Sequence, residues 1–371
     1  MLELADILRE AGPAYRDAYG ARLLPSHRKA MRDIEACRTA ALGGHLRACD
    51  RCNARQYSYH SCRNRHCPKC HTDQTRRWLQ RQQSRLLPGS YFLVTFTLPA
   101  ELRRLARAHQ KRVYGLLMRA AAAALLKLTA DPRYLGARPG FIAVLHTWTR
   151  ALLYHLHVHI LVTAGGWRDS PSPGWVACKR ANFLVPGRAL SVLFRAKMRH
   201  GLRTAGLSDQ APPRVWYKKW VVHLQHAGTG KAVLGYLARY VYRIALVNSR
   251  LERFANDHVT FRYRDNRTGQ IQHCTVQARH FIARFLQHVL PQGFTKVRSY
   301  GVFSPSRKPL LDRVRAELRA APPDPLPQPA DSVDAPVPPV TDHDPKAHPC
   351  PLCGLGRMRI IETLPRRRPP P

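Results

Sequence analysis

From Tyr154 to Val162 the chain alternates with period two. Tyr154, Leu156, Val158, Ile160 and Val162 form an unbroken apolar face, and Leu153, His155, His157, His159 and Leu161 form the other. Such alternation predicts a β-strand with one face buried. It leaves three imidazoles in a row on a rigid element, an arrangement that suits a metal ion better than a core.

Around this strand the pattern reads as strands and helices in turn. Residues 1–36 read as short helices, with Pro25-Ser26 as a helix start and Ser26 as its cap. The β-rich run Tyr91–Leu98 ends at Pro99, a long Ala/Leu/Arg helix covers roughly 101–130, and Phe141–Trp148 is a second strand. A turn-rich stretch from Gly165-Gly166 to Pro173 follows the histidine strand. Then come a helix near 188–205, a strand over Val215–Gln225 and a helix over Lys231–Arg243. Val259–Arg264 and Gln270–Val276 flank Asp265-Asn266-Arg267-Thr268-Gly269 as a hairpin, and a helix covers roughly 277–289. Residues 321–340 are dense in proline and carry no periodicity, which reads as a semi-rigid linker.

Cysteine spacing changes the picture at both ends. Cys49-x2-Cys52 and Cys67-x2-Cys70 have the spacing of a four-thiolate zinc site. Cys37, His45, Cys62 and His66 are four further ligand-type side chains, enough for a second, interleaved zinc, with His60 and His71 as competitors. A stretch this short buries little core, so structural zinc would hold it together. Arg63, Arg65, Lys69, Arg76 and Arg77 surround the cluster and suit contact with phosphates. The pair Cys350/Cys353 is half a site, with His343 and His348 the nearest further ligands.

Charge narrows the partner. Lys and Arg number 61 against 23 Asp and Glu, a formal charge of +38, which calls for a polyanion. The first residues lack a signal-peptide layout, and the longest apolar run, Ala120–Leu128, is broken by Lys127. Clustered CxxC pairs without an export signal fit a reducing bacterial cytoplasm, with no membrane partner.

Tyr236 and Tyr240 lie one turn apart on the helix 231–243, with Arg239 and Arg243 on the adjoining face. A phenolate can attack a DNA phosphodiester, and a divalent ion on the histidines would polarise the scissile phosphate. Because the phosphotyrosine keeps the bond energy, no nucleotide is needed. Gly228-Thr229-Gly230-Lys231 departs from a phosphate loop at Gln225, where that motif requires glycine. Carboxylates are scarce and form no constellation, which disfavours an acid-triad transposase.

These residues carry a family resemblance. His157-Val158-His159 resembles the motif of the HUH superfamily of single-strand DNA endonucleases. More closely, the chain resembles the rolling-circle transposases typified by insertion sequence ninety-one. The resemblance rests on Cys37-Arg38-Thr39 to Gly43-Gly44-His45 and on Ser61-Cys62-Arg63-Asn64-Arg65-His66-Cys67-Pro68-Lys69-Cys70. It also rests on Leu145-His146-Thr147-Trp148, His155 through His159, Tyr236-Leu237-Ala238-Arg239-Tyr240 and Asn248-Ser249-Arg250. It implies an α/β fold: an HUH-type catalytic domain with a central antiparallel sheet and flanking helices, preceded by a small Cys/His zinc-binding domain. The expected organisation is 1–87 for the helical lead-in and zinc domain, 88–310 for catalysis, 311–345 for the linker and 346–371 for a basic CxxC tail.

The resemblance further implies Tyr240 and Tyr236 as nucleophiles, and His157 and His159 as ligands of magnesium or manganese. His146 and His155 compete for the third ligand position, with His146 favoured. The implied partners are the single-stranded ends of a transposon and its target DNA. A replication initiator of the same chemistry and a non-enzymatic zinc DNA-binding protein are the alternatives.

Overall fold

A computed structural model describes residues 1–70, 86–229, 235, 245–265, 268–320 and 349–366. In chain order the helices α1 (Leu4–Tyr19) and α2 (Pro25–Glu35) come first. Pro25, rather than Ser26, opens α2, because its fixed φ suits the first helical position and its missing N–H costs no bond there. Strands β1 (Gly44–Cys49), β2 (Arg55–Tyr59) and β3 (Ser90–Thr97) follow. The long helix expected over 101–130 is broken at His109 into α3 (Arg103–Ala108) and α4 (Gln110–Thr129). Next are β4 (Arg138–Trp148), β5 (Tyr154–Arg168), β6 (Gly174–Ala177), α5 (Gly187–Thr204) and β7 (Val222–Thr229). Then come β8 (Leu251–Ala255), β9 (His258–Arg264), β10 (Ile271–Gln277) and α6 (Ala278–Leu286). The chain closes with β11 (Val297–Gly301), α7 (Lys308–Ala320) and β12 (Met358–Leu364).

The chain divides into two compact units, and neither is contiguous. One comprises residues 1–74, 246–289 and 333–371, and the other 75–245 and 290–332. This corrects the expected serial order, in which 88–310 stands as one catalytic stretch and 346–371 as a separate tail. The reason lies in the pairing. β12 adds to β1 in the antiparallel sheet β12-β1-β2, so the tail is a strand of the N-terminal module. The sheet β10-β9-β8 also belongs to this unit, and α6 packs against α1.

The second unit is built on a six-stranded sheet of order β11-β4-β5-β3-β7, with β6 paired to β5. All neighbouring strands in it run antiparallel, and the histidine strand lies in the middle. One face carries Phe92, Val94, Phe96, Phe141, Leu145, Leu156, Val158 and Ile160, packed with Leu117 and Leu125 of α4 and Leu190, Phe194 and Met198 of α5. On the other face Leu93, Ile142, Val144 and Leu161 pack with Leu311 and Val314 of α7. The turn expected at Gly165-Gly166 is strand instead. There the glycines let other groups approach: a Cβ on Gly165 would lie 2.7 Å from the Trp175 ring, and one on Gly166 would lie 2.6 Å from the Arg138 backbone.

The strand 215–225 is delayed to Val222 by a short 3-10 turn at Pro213–Trp216. The hairpin strands form as expected, in register from Ile271↔Arg264 to Gln277↔His258. Among the described residues no helix is long and apolar enough to cross a membrane.

Tyr154 anchors the buried side of the histidine strand. Its hydroxyl lies 2.7 Å from that of Tyr114 on α4, and burial raises both phenol pKa values, Tyr114 to about 12. Replacing Tyr154 with Phe strands the Tyr114 hydroxyl in the core. Tyr154→Phe is expected to cost about 1–3 kcal/mol in urea unfolding.

Candidate active site and metal centres

The sheet face that packs on α7 changes character along its strands. At one end it is apolar. At the other it carries His146 from β4, His157 and His159 from β5, and Thr95 and Thr97 from β3. Register explains the meeting: His146 pairs with His157, Val144 and Thr95 with His159, and Thr97 with His157. His223 of β7 stands opposite Thr95 at the next position across the sheet.

The ligating nitrogens of His146, His157 and His159 all lie within 4.8 Å of one another. Bonds of about 2.1 Å to one ion need donors roughly 3–4 Å apart, so small ring rotations suffice. His146 is buried, and its ring stacks on Trp148 with centroids 4.7 Å apart. His157 Nδ1 donates to the His155 carbonyl at 3.0 Å, which directs its other nitrogen outward. His159 Nδ1 meets Thr95 Oγ1 at 3.0 Å. Hydrogen bonds of this kind fix the tautomer and the ring orientation of a ligand.

Burial, helped by neighbouring His155, pushes the His157 pKa down to about 4. The ring is therefore neutral at pH 7, the form that binds a metal. His155 stands apart from the trio. Its Nδ1 faces the Arg103 guanidinium at 3.1 Å, and burial with that charge lowers its pKa.

The cysteines also form groups, but not those expected from spacing. Cys37, Cys62, Cys67 and Cys70 come together, with Sγ–Sγ distances of 3.5 Å from Cys37 to Cys70 and 3.6 Å from Cys62 to Cys70. Cys49, Cys52, Cys350 and Cys353 form the second group. Thus Cys49/Cys52 do not join Cys67/Cys70, and His45 and His66 belong to neither group. His45 points to Thr363 Oγ1 at 3.5 Å and packs its ring on His60. The cause is topological. β1 carries Cys49 away from the turn 62–70, and the turn that leads into β12 supplies the missing pair. Four bonds of about 2.3 Å to a tetrahedral zinc place sulfurs about 3.8 Å apart, close to the distances seen and far beyond a disulfide of about 2.05 Å. Hydrogen bonding with Cys62 and Cys67 pulls the Cys37 thiol down to about 7.

Among the arginines, Arg63 and Arg65 are exposed beside the first thiol group. Tyr236, Tyr240, Arg239, Arg243, Arg76 and Arg77 lie outside the described residues, as do His71, His343 and His348. Sequence reasoning missed Thr95 and Arg103. The period of β3 could have revealed Thr95, since Thr95 and Thr97 break an otherwise apolar run on the odd-numbered face.

Known proteins place this architecture among DNA-transferring enzymes with a zinc-binding domain. A family model described as "Putative transposase" matches residues 140–309, and one described as "Transposase zinc-binding domain" matches 7–98. "Putative transposase y4qJ" of Sinorhizobium fredii (strain NBRC 101917 / NGR234) is 42% identical over 319 residues, covering 81% of this chain and 79% of the relative. "Transposase for insertion sequence element IS801" of Pseudomonas savastanoi pv. phaseolicola is 29% identical over 332 residues, covering 80% and 77%. A solved structure of TrwC complexed with a 27-mer DNA is 20% identical over 31% of this chain and 44% of that one, with a TM-score of 0.24. The chain belongs to the rolling-circle transposases of the IS91 family. It is therefore a DNA-acting enzyme, and the alternatives of an initiator or a non-enzymatic binder give way.

Thr95→Val removes the hydrogen bond that orients His159 but keeps the side chain's shape. It is expected to weaken manganese binding about 10–100-fold, measured by calorimetric titration, with unfolding little changed.

Proposed function

We propose that this transposase nicks and rejoins single-stranded DNA through a 5′-phosphotyrosine, with a divalent ion held by His146, His157 and His159. The observation that carries the reading is the convergence of those three imidazoles on one sheet face. The family membership supports it, and so does the charge of +38, which favours a nucleic-acid substrate.

The ion would draw charge from the scissile phosphate and generate no nucleophile of its own. The histidine rings would hold it from a rigid β-sheet, so their positions would need no reorganisation when DNA arrives. Tyr240 or Tyr236 attacks phosphorus as the phenolate. The Tyr–O–P bond forms and the P–O3′ bond breaks. The 3′-oxygen leaves and takes up a proton, while the phenol proton passes to solvent. In rejoining, a 3′-hydroxyl attacks the phosphotyrosine and the phenol is released. The number of phosphodiester bonds is conserved, so no nucleotide is consumed.

Magnesium or manganese would serve as the ion, and three nitrogen donors favour manganese. The group Cys37, Cys62, Cys67 and Cys70 would hold structural zinc beside Arg63 and Arg65, which suit backbone phosphates.

The test incubates the protein with a single-stranded oligonucleotide of the element end and either metal. An adduct that survives SDS is expected, with more in manganese than in magnesium. Tyr236→Phe and Tyr240→Phe together should abolish it, and His157→Ala with His159→Ala should do so without unfolding the protein. An adduct that persists in the double tyrosine variant would overturn the assignment.

A further inference from the structure

We propose that Cys49, Cys52, Cys350 and Cys353 bind one zinc ion that fastens the C-terminal tail to the N-terminal module. The two matched family models cover 7–98 and 140–309, so neither reaches Cys350 or Cys353. The four sulfurs lie within 4.8 Å of one another, with Cys49 to Cys353 at 3.8 Å and Cys52 to Cys350 at 3.6 Å. All four are free thiols, and Cys49 and Cys350 are buried.

Proximity alone would be weak. The stronger observation is that both CxxC turns are closed by corresponding backbone bonds, the C-terminal turn being longer by one residue. Cys49 N–H donates to the Ala54 carbonyl at 2.9 Å, and Cys350 N–H donates to the Gly356 carbonyl at 2.8 Å. Asn53 N–H returns to the Cys49 carbonyl at 3.2 Å, and Gly354 N–H returns to the Cys350 carbonyl at 2.9 Å. The residue after each second cysteine is left-handed, Asn53 at φ 56° and Gly354 at φ 66°. Asparagine and glycine are the residues that tolerate this conformation. Each turn also aims a backbone N–H at a sulfur: Arg51 at Cys49 Sγ and Gly356 at Cys353 Sγ, both at 3.4 Å. Such bonds stabilise thiolates.

The two turns are also joined to each other. Asp50 N–H donates to the Arg357 carbonyl at 3.1 Å, and Arg357 N–H donates to Asp50 Oδ1 at 2.8 Å. A Cβ on Gly356 would collide with Cys49 Sγ, so the approach depends on that glycine. Beside the β1–β12 pairing, apolar packing at this corner is small among the described residues: its cluster consists of Cys49, Cys350 and Met358, with Ala54 and Cys353 against it. Four thiolates in a tetrahedron select zinc over harder ions. Binding releases the thiol protons to solvent and oxidises nothing.

The experiment uses the full chain with an N-terminal affinity tag and a site-specific protease sequence inserted between residues 321 and 348. After cleavage in zinc buffer, the fragment bearing 349–371 should stay with the tagged portion. Chelation should release it, and zinc content should fall from about two per chain to none. Cys350→Ser with Cys353→Ser should bind one zinc fewer and lose the fragment on cleavage. The proposal is overturned if the fragment separates in zinc, if it stays after the metal is gone, or if the double variant keeps its full zinc content. Should that variant fail to fold, the cleavage of the unsubstituted chain decides alone. No readout uses DNA cleavage, so the result is independent of the catalytic reading.

Discussion

The register between β4 and β5 is the constraint on which the three-imidazole cluster depends. Side chains on a strand alternate faces, so a one-residue slip would send His146 into the helix-packed core and Leu145 or Thr147 into its place. The register is held by the apolar half of the same strands. Phe141, Ala143 and Leu145 face α4 and α5 with Val158, Ile160 and Val162, while Ile142 and Val144 face α7. A shift would expose all of these at once. The position of three imidazoles is thus maintained by side chains that never touch a ligand, which is how a polar cluster stays fixed without loops of its own.

Much of this was legible in the sequence where the signal was local. Period two gave the histidine strand and its buried face, and the hairpin around Asp265 followed from turn chemistry. The resemblance left His146 and His155 competing for the third position, and register groups His146 with the pair. What the sequence did not reveal was long-range. Cys49 and Cys52 could be recognised as half a site, but the identity of the other half depended on β12 pairing with β1, some three hundred residues away. Spacing along the chain favours the nearest cysteines, whereas backbone pairing decides which ones meet. Gly165 and Gly166 misled for a related reason. Glycine marks turns, but here it marks two close approaches inside a strand, by the Trp175 ring and by the Arg138 backbone.

The chain uses two kinds of ligand set for two kinds of work. The thiol groups sit in the unit with the smaller sheets, where cysteine turns and backbone N–H···S bonds add rigidity at a corner with few apolar contacts. The imidazole group sits on a sheet that is already rigid, with apolar side chains beneath it on β3, β4 and β5. On the proposed reading, a metal leaving the first kind would remove part of the fold, and a metal leaving the second kind would remove only chemistry. Neutral nitrogen donors also leave the charge of a divalent ion uncompensated, so it remains available to a phosphate.

The place of β12 in the N-terminal sheet has a consequence for synthesis. β1 and β2 are made early, yet one edge of β1 stays open until residues 358–364 have left the ribosome. An open strand edge invites pairing with other chains. A chain that stops short of residues 358–364 would leave that edge of β1 open. The strand 358–364 thus ties the integrity of the N-terminal sheet to residues about three hundred positions further along the chain.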